Sequence, residues 1–585
     1  MSRKSVGKIL FASVLFGGAA LTATAQSFRV QCPTSTITHP DNTTAQTLYS
    51  AEAPYTGPTS LAKCTANQVI PGTNTTCPAT GFYVPTAGVN GAIKCQQISG
   101  GDGYSTMANG TQTFMFSFGP LSGLADIANG LPGTEYPSVF NTVYQGTFVP
   151  GDPATTDGIA TGSTGGSLSS FTFNGAVGLM PDADCIADNA AAASAGTALP
   201  CPNLPAGGLD GHVDPRQIMD VGVMNGNIPA PLMAIDEDDE FFLTLTNVGM
   251  IMRPDLFEQH TVHFHGYPNA SAYYDGVPDA SVAINIGGSF TYYYLAPDAG
   301  TYFWHCHITP PEHLQMGMVG QIYVRPRQDR VPLGTSVYSA LQAQQKDLRT
   351  ACISSADILC TNPLPYKIVH GTDNSPKGGF DTSQPDPETK KYAYNDGDGM
   401  SAYDVEYPLQ IHGFDPNFHF VGMTFNPEAF ADMKDKFFLL NGRSYPDTVT
   451  SGPLTTESSD GRSHFSQPLN SIINIPAGGK ALLRISDLSV TEYSTLASLG
   501  IPMHVVGYNA KLLRDQDGNN TDYYTNSITL AGGESLDVIL DASALKSDGS
   551  PYKSGDVYYL FTPQLDHLSN DQENFGGLMT EVHIN

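Results

Sequence analysis

Two short segments, EQHTVHFHGYP (258–268) and TYFWHCHITPPEHLQMGMVGQIYV (301–324), constrain the fold more than any other feature of the chain. Each sets histidines, and in one case a cysteine, among β-branched and aromatic residues suited to a strand. Side chains alternate faces along a strand. His305 and His307 therefore project from one face and Cys306 from the other. His263 and His265 likewise share a face, opposite to His260. If the two segments pair in one sheet, two back-to-back groupings result. One joins His260 to Cys306, and the other gathers His263, His265, His305 and His307. The loop after Cys306 can return His313 and Met318 to the first grouping.

Six of the 15 histidines fall within residues 260–313, where even scatter over 585 residues would place one or two. Two imidazoles, a thiolate and a thioether form a soft donor set that suits copper. Zinc also accepts His and Cys, but the thioether argues against it. Met316 is the rival axial donor; Met318 is preferred because it lies five residues beyond His313, behind Gly317. Asp275 and Asp279 follow the first segment and could orient a histidine or a substrate, although turn roles are commoner.

The rest of the chain points to an all-β protein of more than one domain. Only 14% of residues are charged, while 60 Gly, 42 Pro, 28 Tyr and 28 Phe favour short strands and turns. A formal charge of −29 repels nucleic acid and anionic membrane, so neither is an expected partner. Residues 1–25 read as a signal peptide, with Arg3, Lys4 and Lys8 before an apolar core and Ala23-Thr24-Ala25 at the cleavage site. No later segment has the apolar length of a membrane helix. A secreted or periplasmic location follows, where disulfides persist. Cys32, Cys64, Cys77 and Cys95 cluster early, Cys185 and Cys201 lie close, as do Cys352 and Cys360, and Cys306 is left over. An unpaired cysteine between two histidines reads as a ligand.

Residues 26–104 are expected to be a Cys-rich N-terminal segment, a stapled module or a collar on the next domain. Residues 105–330 form the first β domain, with both metal groupings and a long insertion diluted in Ala, Gly, Ser and Thr. A polar linker spans 331–400 and a second β domain 401–585, its runs punctuated by PAGGK and AGGES turns. No G-x-S-x-G elbow, phosphate-binding glycine loop or dinucleotide fingerprint is present.

HTVHFH and HCHITPPEHLQMGM resemble the last copper motifs of multicopper oxidases, laccase-like proteins built from cupredoxin domains; the second has two extra residues near Pro310-Pro311. NGNIPAPLMAID, FLLNGRSYPDT, HVVGYNAKLL and GGESLDVIL look like further family landmarks, so the resemblance covers most of residues 220–585. It implies two cupredoxin-like Greek-key sandwich or barrel domains behind an N-terminal disulfide-bearing extension. It also implies a type 1 blue copper on His260, Cys306, His313 and Met318, and a type 2/type 3 centre on His263, His265, His305 and His307. Of these, His263 and His307 would have catalytic roles. A small-molecule or metal-ion reductant, phenol-like in the first case, would deliver electrons at the blue copper, and dioxygen would accept them at the second centre.

The family's full oxygen-reducing cluster uses two more His-x-His pairs, and this chain has none. Copper nitrite reductases, a related two-domain type, instead hold a single second copper between subunits of a homotrimer. There His265 and His305 would be joined by His567 of a neighbour, with nitrite as acceptor and His504 in the position that serves proton delivery. His263 stands where those reductases carry an aspartate, and His307 has no counterpart. A third alternative is a non-catalytic blue-copper protein that serves a redox protein.

Overall fold

The computed structural model describes residues 30–33, 92–140, 190–197, 227–330 and 391–585, apart from short gaps, and short strands at 62–63, 82–83, 368–370 and 376–380. The expected signal peptide, most of the insertion and linker, and six of the eight cysteines other than Cys306 lie outside the described residues. One disulfide is described, Cys32–Cys95. Among the described residues no helix is long and apolar enough to cross a membrane.

The all-β expectation holds. The first β region has two four-stranded sheets. One is ordered β2-β1-β4-β6, from strands β1 (Ile93–Thr106), β2 (Gln112–Pro120), β4 (Glu240–Gly249) and β6 (Ser289–Leu295). The other is ordered β3-β8-β7-β5, from β3 (Met233–Asp236), β5 (His263–Phe264), β7 (Gly300–His305) and β8 (Val319–Arg325). Period-two apolar residues build the core between them: Phe114, Phe116 and Phe118 on β2, Phe241, Leu243 and Leu245 on β4, and Phe290, Tyr292 and Tyr294 on β6. From the facing sheet come Phe264, Tyr302, Trp304 and Cys306.

β1 runs through residue 104, so the end of the Cys-rich N-terminal segment is a strand of the first sheet. It pairs parallel with β4 and antiparallel with β2, and the disulfide at Cys95 anchors its start. Its run QQISGGDGYST has the composition of a loop, yet Gln96, Gln97, Ser99 and Asp102 are buried. Side-chain bonds help to hold them there: Gln97 Nε2 donates to Thr246 (3.0 Å), and Ser99 Oγ accepts from the Gly119 amide (3.2 Å).

The second β region stacks a seven-stranded sheet on a five-stranded one. Strands β9 (Val405–Phe414), β12 (Lys480–Asp487), β14 (Met503–Tyr508), β15 (Lys511–Leu512), β16 (Tyr523–Thr525) and β18 (Ser535–Asp541) belong to the larger sheet. In it, β10 (Phe437–Leu440) pairs with β9. The other sheet includes β11 (Ile473–Ile475), β13 (Ser494–Leu499), β17 (Ser527–Leu530), β19 (Val557–Phe561) and β20 (Met579–Ile584). Leu409, Ile411, Leu483, Ile485, Val505, Val538, Leu560 and Val582 fill the space between them.

A polar seam joins the two regions. Thr301 donates to Asp537 (2.6 Å), and the Gln321 amide to the Arg484 carbonyl (2.9 Å). Glu406 lies between Arg325 and Arg484, 2.9 Å from the Arg484 Nε. Burial pushes its carboxyl upward, but the two guanidiniums outweigh burial and hold it well below the usual carboxylate range.

Candidate metal centre

The register of β5 on β7 decides the site. His263 lies opposite His305, and Phe264 opposite Trp304. Trp304 and Cys306 point into the first core, whereas Phe303 leaves the opposite face to pack with Phe414, Phe437 and Leu439 of the second region. The sulfur and the imidazole group thus lie on opposite faces of one sheet.

On the core face His260, Cys306 and His313 bring their donor atoms within 4.8 Å of one another, and all three are fully buried. His313 Nδ1 is 3.2 Å and His260 Nδ1 3.9 Å from Cys306 Sγ. The Thr261 amide donates to the sulfur at 3.4 Å. Backbone pairing with Ile284 fixes His260. Gly100 of β1 makes room for its ring, since a Cβ there would sit 2.8 Å from the imidazole. Met316 and Met318 are both buried in the same core. Met318 is also tied by main chain to the two neighbouring donors: its carbonyl accepts from Cys306 N (3.1 Å), and its amide donates to His313 O (2.9 Å).

The segment read from sequence as a loop contains the helical turn α1 (Pro310–Gln315), which presents His313 inward. Its N-cap Thr309 adopts φ +37°, and Pro310 and Pro311 fill the first helical positions, where a missing N–H costs nothing.

The electrostatics suit a cation. Burial pushes His260 well below its ordinary value, and neighbouring His313 adds to this. Burial would lower His313 as well, but the Cys306 sulfur and Glu258 hold it up, to about 10. His313 Nε2 faces the Glu258 carboxylate at 3.4 Å. Glu258 was not singled out from the sequence; only its place two residues before His260 could have suggested a role. His260 Nε2 has no hydrogen-bond partner. A buried thiol with two Nδ1 atoms aimed at it, in a site that attracts positive charge, fits a soft metal ion.

On the other face, His263, His265 and His305 bring their donor atoms within 4.8 Å. His265 Nε2 lies 2.9 Å from His305 Nε2. The other nitrogens are occupied in the manner of metal-bound imidazoles: His263 Nδ1 faces the Asp275 carbonyl (2.7 Å), and His305 Nδ1 the Cys306 carbonyl (2.6 Å). Burial, helped by His263 and His307, pushes His265 down to about 4; His305 is also lowered, chiefly by burial. Both are thus neutral and ready to donate a lone pair. The His307 ring stands 5.0 Å from that of His263, centroid to centroid, but does not join the three-histidine group. Gly533, in the AGGES turn of the second region, packs over His265, and a Cβ there would sit 3.2 Å from Nδ1.

His567 joins neither group: it is buried, bonded through Nε2 to Glu492 (2.7 Å) and stacked on Phe438. His504 pairs with Asp522 (2.8 Å) beneath the Tyr524 ring.

Residues 210–329 match the family model for multicopper oxidase. That match covers the segment that carries both donor groups. Laccase abr2 of Aspergillus fumigatus is 31% identical over 128 residues, 22% of this chain and 20% of the laccase. Laccase-1 of Emericella nidulans is 35% identical over 111 residues, 18% and 16% of the two chains. A copper-containing nitrite reductase of Rhizobium meliloti is 35% identical over 109 residues, 18% and 26%. The matches thus span about a fifth of the laccases' length. A blue copper oxidase structure from Nitrosomonas europaea superposes at TM-score 0.37 with 19% identity over 61% of this chain and 77% of its own, too loosely to add to the argument. Copper is the cofactor of this family, and both donor groups suit it.

Proposed function

We propose that the protein is an exported copper-dependent oxidoreductase that takes electrons from a reducing substrate at the thiolate site and passes them to dioxygen at the histidine cluster. The reductant would be a phenol-like molecule or a metal ion. His260, Cys306, His313 and Met318 would hold a type 1 copper, and His263, His265 and His305 a second centre with His307 at its margin. When bound, copper supplies one-electron redox chemistry at the first site and dioxygen reduction at the second. The observation that carries the reading is the strand register that sets Cys306 and His305 on opposite faces as sequence neighbours. One peptide unit then links the two donor groups, a short covalent path for an electron.

The chain's own residues perform the remaining tasks. His313 turns its outer nitrogen toward Glu258, which is about a quarter exposed and gives this edge a negative rim. The Asp275 carbonyl holds His263 with Nε2 free for the cluster. His307, half-buried at the margin, is placed to hold or relay a proton beside it.

The three-histidine group, with His307 apart from it, favours a second reading of the nitrite-reductase type. In that reading His265, His305 and His567 of a second copy would share a single copper in a homotrimer, and His567 would first have to leave Glu492. The test is copper content per folded chain, with turnover of dioxygen and of nitrite measured on the same preparation. Dioxygen consumption with more than two coppers per chain supports the oxidase. Two coppers per chain in a trimer with nitrite turnover supports the second reading. One copper with neither turnover leaves an electron carrier for a redox protein and overturns both.

A further inference from the structure

The four donors of the thiolate site are not held equally. His260 is fixed by backbone pairing with Ile284, and Cys306 follows directly on β7. His313 instead lies on α1, outside the sheet, and Met318, just before β8, is bonded by its amide to the His313 carbonyl (2.9 Å). Something else must hold that turn, and the structure shows what does.

Gln315 lies between those two donors and is fully buried. Each of its acceptor and donor groups beyond the helix meets a residue of the second β region. Its side-chain oxygen accepts from the Asp415 amide (2.9 Å), its side-chain nitrogen donates to Asp435 Oδ1 (2.8 Å), and its carbonyl faces His419 Nε2 (2.9 Å). These partners lie at least 100 residues along the chain. Thr491 donates to the other oxygen of Asp435 (2.6 Å), so that carboxylate is itself oriented. His419, on the helix α2 (Pro416–Thr424), has its second nitrogen against the Phe114 carbonyl of β2. Two residues along β2, the Phe116 ring packs edge-on against His313 at 5.4 Å. α2 thus joins the donor-bearing turn to the strand that packs on it.

We infer that Gln315, His419 and Asp435 are positioning residues through which the second β region sets the placement of His313 and Met318, and so the redox properties of the thiolate site. This rests on the blue-copper reading above. Axial-donor placement tunes such a site, and outer contacts to ligands commonly change metal affinity by about 10- to 100-fold. A merely structural bond would alter stability and leave spectrum and potential where they were.

The test uses the full-length, copper-loaded protein. Gln315→Glu sets a carboxylate against Asp435, and adding Asp435→Asn restores a donor between the two side chains. Gln315→Met keeps the volume and removes the polar bonds, which gives a second variant if the first does not fold. We expect about 10-fold weaker copper binding at the thiolate site, a shifted reduction potential and a changed blue absorption, with copper at the histidine cluster unaffected. The paired swap should return most of the shift. Folded variants with parental potential, spectrum and affinity would overturn the proposal, as would equal copper loss from both sites. If the parent chain shows no blue absorption, the blue-copper reading fails instead.

Discussion

Histidines in the two β regions are equally buried in several cases, yet they keep different company. In the second region His504 meets Asp522, His567 meets Glu492, His583 meets Glu581, His412 faces the Leu488 carbonyl and His419 faces two carbonyls. Each of these has a hydrogen-bond partner outside the two donor groups. In the first region the imidazoles converge on one another and on a lone thiol. Burial therefore does not distinguish a ligand from a structural histidine. Convergence of several donor atoms does, because a cation needs them around one point.

Cys306→Ser should break this contrast most sharply. We expect loss of the blue absorption and of copper at the thiolate site, with copper at the histidine cluster retained and the melting transition still cooperative. The single tryptophan, Trp304, lies two residues from the sulfur. Copper added to metal-free parent protein should quench its fluorescence, and this response should weaken in the variant.

The seam between the regions offers the next largest effect. Glu406→Gln leaves Arg325 and Arg484 facing each other without their shared carboxylate. Removal of one partner from a buried ion pair costs about 3–5 kcal/mol, to be read by denaturant unfolding of the metal-free chain. If instead one region melts alone at its parental midpoint, the regions are less coupled than the seam implies.

Acid should reveal the cost of a buried histidine in the second region. Burial holds His412 down at about 3 in the folded chain, against 6.5 unfolded. As pH falls below 6.5 the unfolded chain takes up this proton first, so stability is lost between about pH 6.5 and 3, by about 2 kcal/mol at pH 5. Asp435 and Asp487, raised by burial to about 6, act in the opposite sense as pH falls from about 6 toward 4. His412→Asn should flatten the acid loss in a pH series of unfolding curves. The smallest effect is expected of His567→Gln, about 1 kcal/mol of stability with copper content unchanged. Altered copper stoichiometry in that variant would favour the intersubunit reading.

The sequence made the back-to-back donor groups legible because strand alternation has a strict period of two, and a pairing of 258–268 with 301–324 leaves little freedom. It also made the β class legible, through turn residues and the shortage of charge. Other features depend on contacts that no local pattern carries. β1 carries Gly and polar residues that mark turns when exposed, whereas here Gly100 is the space under His260. The α1 turn depends on a left-handed Thr309, an uncommon conformation for a β-branched residue. The hold on Gln315 joins residues a hundred or more positions apart, and Glu258 acquires its role only once His313 folds back onto it.

X-ray absorption at the copper edge of the oxidised protein tests the central claim most directly. We expect a copper–sulfur bond in the parent that disappears in Cys306→Ser, with nitrogen coordination at the cluster preserved. A parent spectrum with nitrogen and oxygen neighbours alone would contradict the account.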